Sequence, residues 1–510
     1  MKQSNRALLF LLFIVSLMVF LRMAWLNDDA FITLRTVDNW VHGYGLTFNP
    51  PERVQAYTNP LWMFLMTGAY LIVRDGYFTL MLLALGTTLI SIYFFITKIS
   101  DDPFAVLFGW AILMLSKSFV DFSGSGLENP ATHLILIIFL YYFFQTEFPA
   151  PPRRLFLLSV LACLATLNRM DSLLFFMPAL VYVFWKQHGF RDLRQLVFGF
   201  TPFALWEIFS LFYYGFPFPN TYYAKLGAGV PQYLLFNQGV LYFLNSLAWD
   251  PITLVVVFIA LIIAFGTNNW KIKSVAAGVA LYLFYIFYIG GDHMTGRFFS
   301  AVLLVSVILL VKLMEQISGQ QKYLFVGLIL FLGFISPRGT VATILNINDK
   351  AVLDQYNGIS DEREVYFPGT SLTSLNRAFD MPQFPFAEGG RKDRAEGKRV
   401  TVEGAIGMTG YYGGPDLHVI DIYALSDPVL ARIHINNPFA RIGHFERDLP
   451  KGYVETIESG QNKIANPKLA EFYDKMKLII TGDLFLPGRL KTIWEMNTGQ
   501  YDYLIQKATE

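Results

Sequence analysis

Cysteine is almost missing from this sequence: among 510 residues there is one, Cys163. An intrachain disulfide is therefore excluded, and a lone thiol inside an apolar run argues against redox chemistry. Charge is also scarce. Asp, Glu, Lys and Arg make up 15% of the chain, against about 25% in soluble domains. Neither sign dominates. A formal charge of +1 gives no basic field, so no nucleic-acid partner is expected. Internal repeats and low-complexity stretches do not stand out, which argues against a transporter built from inverted repeats.

What is abundant is apolar surface. Hydrophobic residues make up 54% and aromatic residues 16%, and they gather in repeated runs near the length of a bilayer crossing. The fold class expected is a polytopic α-helical membrane protein. The opening MKQSNRALLFLLFIVSLMVFLRMAW has a basic start and a long apolar core without a small-residue cleavage site, and reads as a retained anchor. Crossings are expected at about 7–25, 76–97, 103–119, 131–146, 155–168, 172–186, 195–213, 251–266, 274–289, 297–314 and 322–337, about 11 in all. The run PLWMFLMTGAYLIV (60–73) is too short to cross, and is expected to lie at the outer interface within a first outer loop spanning 26–75.

With that choice Lys2, Arg6, Lys98, Arg153, Arg154, Lys186, Arg191, Arg194, Lys271, Lys273, Lys312 and Lys322 fall on the cytoplasmic side, as the positive-inside rule asks. The N-terminus is then cytoplasmic. The expected division is a transmembrane domain, 1–337, and an extracytoplasmic domain, 338–510. The second is polar and contains strand-like runs, KRVTVEGAIGM and LHVIDIYAL, so it is expected to be mixed α/β.

Under this threading every polar cluster faces outward: NDDAFITLR, NPPERVQAYTNP, SGSGLENP, NRMD, YYGFPFPNTYYAKLG and GGDHMTGRF. Ionisable groups at a membrane edge are costly and mark function by default. Each cluster also has a plainer reading. Asn27 or Asp28 could cap a helix ending near Gly43. Arg169 and Asp171 could form a salt bridge at a helix break. Glu128 could cap the helix ahead of Pro130, and Asp292 could pair with Arg297 in a tight loop. His293 reads most simply as a local hydrogen-bonding partner, and Tyr222 and Tyr223 as interfacial aromatics. Adjacent helical side chains diverge by about 100°, so Asp28 and Asp29 cannot do the same job. One is expected in the cavity, the other capping, ligating a metal or pairing with Arg35. The segment GAIGMTG (404–410) has the wrong spacing for a dinucleotide loop, and NAD binding is not expected.

Carboxylates and cations at the mouth of a cavity among hydrophobic helices suit a substrate with a lipid tail. A polyprenyl-phosphate sugar fits. A carboxylate takes the acceptor proton and cations stabilise the departing phosphate.

The segments DDAFITLR, HGYGLTFNPPERVQAYTNPLW, SGLENP, YYGFPFPNTYYAK and GGDHMTGRF, with GMTGYYGGPDLHVIDIYALSDPVLAR in the tail, closely resemble the membrane-embedded GT-C glycosyltransferases. The resemblance is greatest to the branch containing terminal arabinofuranosyltransferases, which implies a bacterial inner membrane. It implies transfer, with inversion, of arabinofuranose or another pentose from a polyprenyl-phosphate donor to an envelope glycan or surface-protein acceptor. By the same resemblance Asp29 or Asp28 is the catalytic base, and Arg169, Lys225 and Arg297 hold the donor phosphate. Glu128, Asn220, Asp292 and His293 line the sugar or acceptor site. No cofactor is fixed. Asp28, Asp29, Glu128 and Asp292 are oxygen ligands suited to Mg²⁺, Mn²⁺ or Ca²⁺, without a set spacing. Two other classes, a lipid-linked sugar transporter or flippase and a non-catalytic sugar-binding assembly subunit, stay open.

Overall fold

The computed structural model describes residues 3–187, 190–314, 321–336, 339–340, 357–374, 380–435, 437–438 and 441–505. The domain boundary expected at 337/338 lies outside the described residues. The chain divides into two compact units. The first comprises Met1–Asn27, Leu80–Phe203 and Leu235–Phe379; the second comprises Asp28–Thr79, Ala204–Leu234 and Asp380–Glu510.

The first unit is helical. Its centre is the helix Phe299–Met314, of which every residue but Lys312 is buried, the pattern of a helix apolar on all sides. The helices Pro103–Leu115, Asn129–Gln145, Pro251–Gly266 and Trp270–Ile289 pack around it. Helix Trp270–Ile289 starts four residues earlier than the apolar run suggests, because the Asn269 side chain accepts hydrogen bonds from Lys271 N (3.0 Å) and Ile272 N (3.5 Å). It lies close against Leu173–Lys186. A Cβ at Gly278 would overlap the carbonyl oxygen of Phe175, so only glycine permits this approach.

Two expected helices are broken. The run 103–119 becomes Pro103–Leu115 and Lys117–Ser123, bent by 76° at Ser116. The run 195–213 becomes Phe190–Gly199 and Thr201–Tyr213. A further helix, Gln232–Trp249, was not expected, and meets Pro251–Gly266 at a bend of 110°. One carboxylate serves both of these bends. Asp250 Oδ2 accepts from the Ser118 backbone N–H (2.8 Å), the Ser116 hydroxyl (3.1 Å) and the Thr253 hydroxyl (2.6 Å). Backbone groups freed where a helix breaks must find such partners when buried.

Among the described residues three helices are long and apolar enough to cross a membrane: Arg6–Met23, Gly76–Lys98 and Trp270–Ile289. Each bent pair adds one if it counts as a single span, for up to five. Others are shorter than the roughly 20 residues that a crossing takes, such as Asn129–Gln145 and Pro152–Asn168 at 17 residues each.

In the second unit, helix Asp28–Val41 packs against Pro60–Val73 and against Ile406–Gly413. Helix Pro60–Val73 has the expected bounds. The strand-like tail segments form a two-stranded parallel sheet, β1 (Val400–Glu403) and β2 (His418–Asp421), with Val400 opposite His418 and Glu403 opposite Asp421. The crossover between them carries the helix Ile406–Gly413, as a parallel pair needs a long connection. The remaining described elements of 380–505 are helices and short turns, chiefly Pro385–Ala395, Pro467–Thr481 and Pro487–Asn497. Their core joins Phe48, Ile406, Val419, Leu430, Phe472 and Met476.

Candidate active site

The two aspartates of the first loop have different surroundings. Asp28 and Asp29 both lie in the first turn of helix Asp28–Val41, where carboxylates are favoured by the exposed N–H groups and the helix dipole. Asp28 is buried and Asp29 is partly exposed. The Asp28 carboxylate also caps a second helix: Oδ2 accepts from Gly407 N at 2.9 Å and Oδ1 from Met408 N at 2.7 Å. Position 407 must be glycine, since a Cβ there would overlap the Asp28 carbonyl oxygen. The segment GAIGMTG thus carries a carboxylate of its own chain. Its spacing gave no hint of this, because the partner is 379 residues away. Asp28 thus directs both carboxylate oxygens at backbone N–H groups of the tail.

Arg35, buried on the same helix, donates to Phe48 O (2.7 Å), Leu417 O (2.6 Å) and Asn49 Oδ1 (3.3 Å), with its guanidinium over the Phe48 ring at 4.6 Å. It ties the first loop to the residue before β2, and Asn49 ties it to β2 itself through Val419. Asn220 makes a comparable tie, its amide donating to Ala424 O (2.8 Å) and Leu425 O (3.1 Å). Lys225 is partly exposed at the end of the short helix Asn220–Lys225, near Gly443.

In the first unit, three of the clusters singled out in the sequence (GLENP, NRMD and GGDHMTGRF) meet in one ion-pair network. Glu128 Oε1 accepts from Arg169 Nη1 at 2.8 Å and from Arg297 Nη2 at 3.1 Å. Arg169 grips Asp171 with two parallel bonds, Nε to Oδ1 at 3.0 Å and Nη2 to Oδ2 at 2.7 Å, the fork geometry that Arg is built for. Its guanidinium lies over the Phe298 ring at 4.8 Å. Arg297 Nη1 stands 3.5 Å from Asp292 Oδ2, and Asp292 Oδ1 is 2.8 Å from His293 Nδ1. Burial pushes the Glu128 carboxyl up, but Arg297 and Arg169 outweigh it and hold the group at about 2. Glu128 is therefore an anion at any ordinary pH. Three carboxylates, Glu128, Asp171 and Asp292, face two guanidiniums here, an excess of one negative group.

Sequence reasoning missed a neighbouring network. Lys117 pairs with Asp121 and, at 2.9 Å, with Asp361 Oδ2, while Arg363 Nε reaches Asp121 Oδ1 at 3.0 Å. Lys117, Asp121 and Arg363 are buried. The segment holding Asp361 is anchored by backbone: Ser360 N donates to His293 O (2.8 Å) and Thr295 N to Ser360 O (2.9 Å). The signal available was weak, since Lys117 looks like a topology marker and residues 361–363 read as ordinary polar tail.

Among the described residues no group of three or more His, Cys, Asp or Glu side chains could hold a metal ion. The four carboxylates named as oxygen ligands divide between the units, Asp28 and Asp29 in one, Glu128 and Asp292 in the other.

No family model matches the chain. It is similar over most of its length to a curated protein, the terminal β-(1→2)-arabinofuranosyltransferase of Mycobacterium tuberculosis. The two are 27% identical over 521 positions, covering 84% of this chain and 81% of the relative. The protein of the same name from Corynebacterium glutamicum matches locally, 50% identical over 40 residues, which is 8% of this chain and 6% of that one. The resemblance read from the motifs thus extends along nearly the whole sequence.

Proposed function

We propose that this protein is an integral-membrane inverting glycosyltransferase. It moves a sugar, arabinofuranose or another pentose, from a polyprenyl-phosphate donor to an envelope glycan or protein acceptor on the outer face of the membrane. The observation that carries the reading is the similarity over 84% of the chain to an arabinofuranosyltransferase. The apolar helices suit a lipid-tailed donor, and the proposed threading keeps about 11 crossings with residues 338–510 outside.

In the proposed step the acceptor hydroxyl oxygen attacks the anomeric carbon while its proton passes to the Asp29 carboxylate. The bond from that carbon to the phosphate oxygen breaks, and the electron pair leaves with polyprenyl phosphate. Asp28 positions Asp29 by fixing the first turn of their shared helix. Arg169, Arg297 and Lys225 are the proposed phosphate ligands. Because Arg169 and Arg297 already hold carboxylates, an arriving phosphate competes with Glu128, Asp171 and Asp292 rather than meeting bare cations. Glu128, Asn220, Asp292 and His293 shape the sugar and acceptor subsites, Glu128 by holding the two arginines and Asn220 through the 424–425 backbone.

A donor screen tests the reading. Purified protein in lipid is offered polyprenyl-phosphate pentoses and hexoses with envelope extract, and free polyprenyl phosphate is followed. Release from one donor, lost in Asp29→Asn, is the expected result. No release from any donor by folded protein would move the weight to a transporter or a sugar-binding subunit.

A further inference from the structure

The second unit contains a cavity of about 560 Å³, within the size range of small-molecule sites. One wall is aromatic. Phe218 and Tyr222 lie against each other with centroids 4.6 Å apart and planes tilted by 31°, and each is 40% exposed. Large rings left open on a concave wall are surface awaiting a partner. Behind them the Arg432 guanidinium is wedged between Phe216 and Tyr223, 4.1 Å from each centroid. It is held there by Asn220 Oδ1 (3.3 Å) and Pro428 O (2.8 Å). Polar groups complete the lining. Asn497 donates both amide hydrogens inward, to Gly215 O and Ile493 O at 2.8 Å each, so its oxygen is presented in a fixed orientation. Asp502, exposed, stands on the turn Asp502–Leu504.

This combination selects a ligand chemistry. A lipid tail would cover the rings but take the exposed Asp502 carboxylate out of water with nothing to bond, which is costly. A simple anion would meet one guanidinium already bonded and sandwiched, with a carboxylate in the same lining. A neutral sugar has both faces that are needed: an apolar C–H face for the rings, and hydroxyls that donate to Asp502 and Asn497, while Arg432 holds the aromatic wall in place.

We propose that this cavity is a carbohydrate-binding subsite, taking one or a few neutral glycosyl residues of the acceptor glycan. Its identity as an acceptor subsite rests on the transferase reading; its binding of neutral sugar does not. The full chain in nanodiscs is titrated with a neutral arabinofuranosyl tetrasaccharide, a neutral glucopyranosyl tetrasaccharide, dodecanol and inorganic phosphate, with binding followed by saturation-transfer NMR for the organic probes and by calorimetry for phosphate. The expected result is saturable binding of at least one tetrasaccharide. Tyr222→Ala and Asp502→Ala each weaken it at least ten-fold, while Tyr222→Phe, which keeps the stacking face, stays within about two-fold. Both side chains are exposed, so these changes leave the fold intact.

Binding of neither tetrasaccharide overturns the proposal, as does binding indifferent to both alanine variants, or binding of dodecanol or phosphate alone. Donor turnover measured alongside separates the two readings. Turnover without oligosaccharide binding sinks the cavity proposal and leaves the transferase standing. Tyr222-dependent sugar binding without turnover of any donor does the reverse.

Discussion

Asp28 and Met408 are joined by a hydrogen bond of 2.7 Å, carboxylate to backbone N–H, across 380 residues of sequence. With the companion bond from Gly407, it assigns Asp28 to structure and separates it from its neighbour. Asp29→Asn is expected to lower transfer at least about a hundred-fold, the scale of a lost general base, with a smaller fall in melting temperature than Asp28→Asn. Asp28→Asn is expected to cost about 1–2 kcal/mol of stability through the weakened cap. Melting curves and single-turnover rates for the two variants, side by side, check the division. Equal melting temperatures with full activity in the Asp29 variant would refute it.

Gly407→Ala places a methyl group into the Asp28 carbonyl oxygen. A destabilisation of about 1–3 kcal/mol is expected from the overpacking, with partial loss of activity because the first turn holding Asp29 is pushed. Ala405, at the N-cap of the same helix, provides the control: Ala405→Gly should leave activity unchanged. Thermal denaturation and rate assays together read both effects.

Glu128→Gln removes the anion shared by Arg169 and Arg297. Breaking a buried pair from one side costs about 3–5 kcal/mol, so a large fall in melting temperature is expected. Arg169→Lys loses the two parallel bonds to Asp171 and is not a conservative change. It should raise the KM for the lipid donor more than it lowers kcat. An unchanged donor KM would remove Arg169 from the phosphate site.

Glu128 of the first unit and two buried carboxylates of the second, Glu52 and Asp427, respond to pH in opposite directions. Glu128 is held at about 2 by Arg297 and Arg169 against its burial, so its contribution is present above the ordinary carboxylate range near about 4.3 and is lost as pH falls toward about 2. Glu52 is pushed up to about 8 by burial and then by Asp427, with Lys477 opposing. Asp427 itself is raised to about 6, chiefly by burial. These two favour the protonated form, so their contribution is full below about 4.3 and fades as pH rises through about 6 and 8. A lower melting temperature at about pH 8 than at about pH 5, flattened by Glu52→Gln, is the expected outcome.

The long apolar runs were legible because burial in lipid or in a helical core demands them. Pro251–Gly266 and Pro60–Val73 could be bounded to the residue, each opening on a proline that suits a first turn. Gln232–Trp249 was not, since Gln232, Asn237, Gln238 and Asn245 interrupt its apolar pattern. The break at Ser116 was hidden inside a continuous apolar stretch, because the group that satisfies it, Asp250, comes from another part of the chain. The pairs Arg169–Asp171 and Asp292–Arg297 were legible within their own clusters, but their meeting through Glu128 was not, since its partners lie 41 and 169 residues away. The Asp28–Gly407 bond could not be foreseen, since nothing in a local window links a loop aspartate to a glycine in the tail.

That bond also sets an order of assembly. A ribosome adds about 5–20 residues per second, so on the order of tens of seconds separate the emergence of Asp28 from that of Gly407 and Met408. Until then the first loop lacks the donors that fix its opening turn. The proposed base is thus finished only late in synthesis, and a prematurely truncated chain would carry its first apolar helix with its chemistry incomplete.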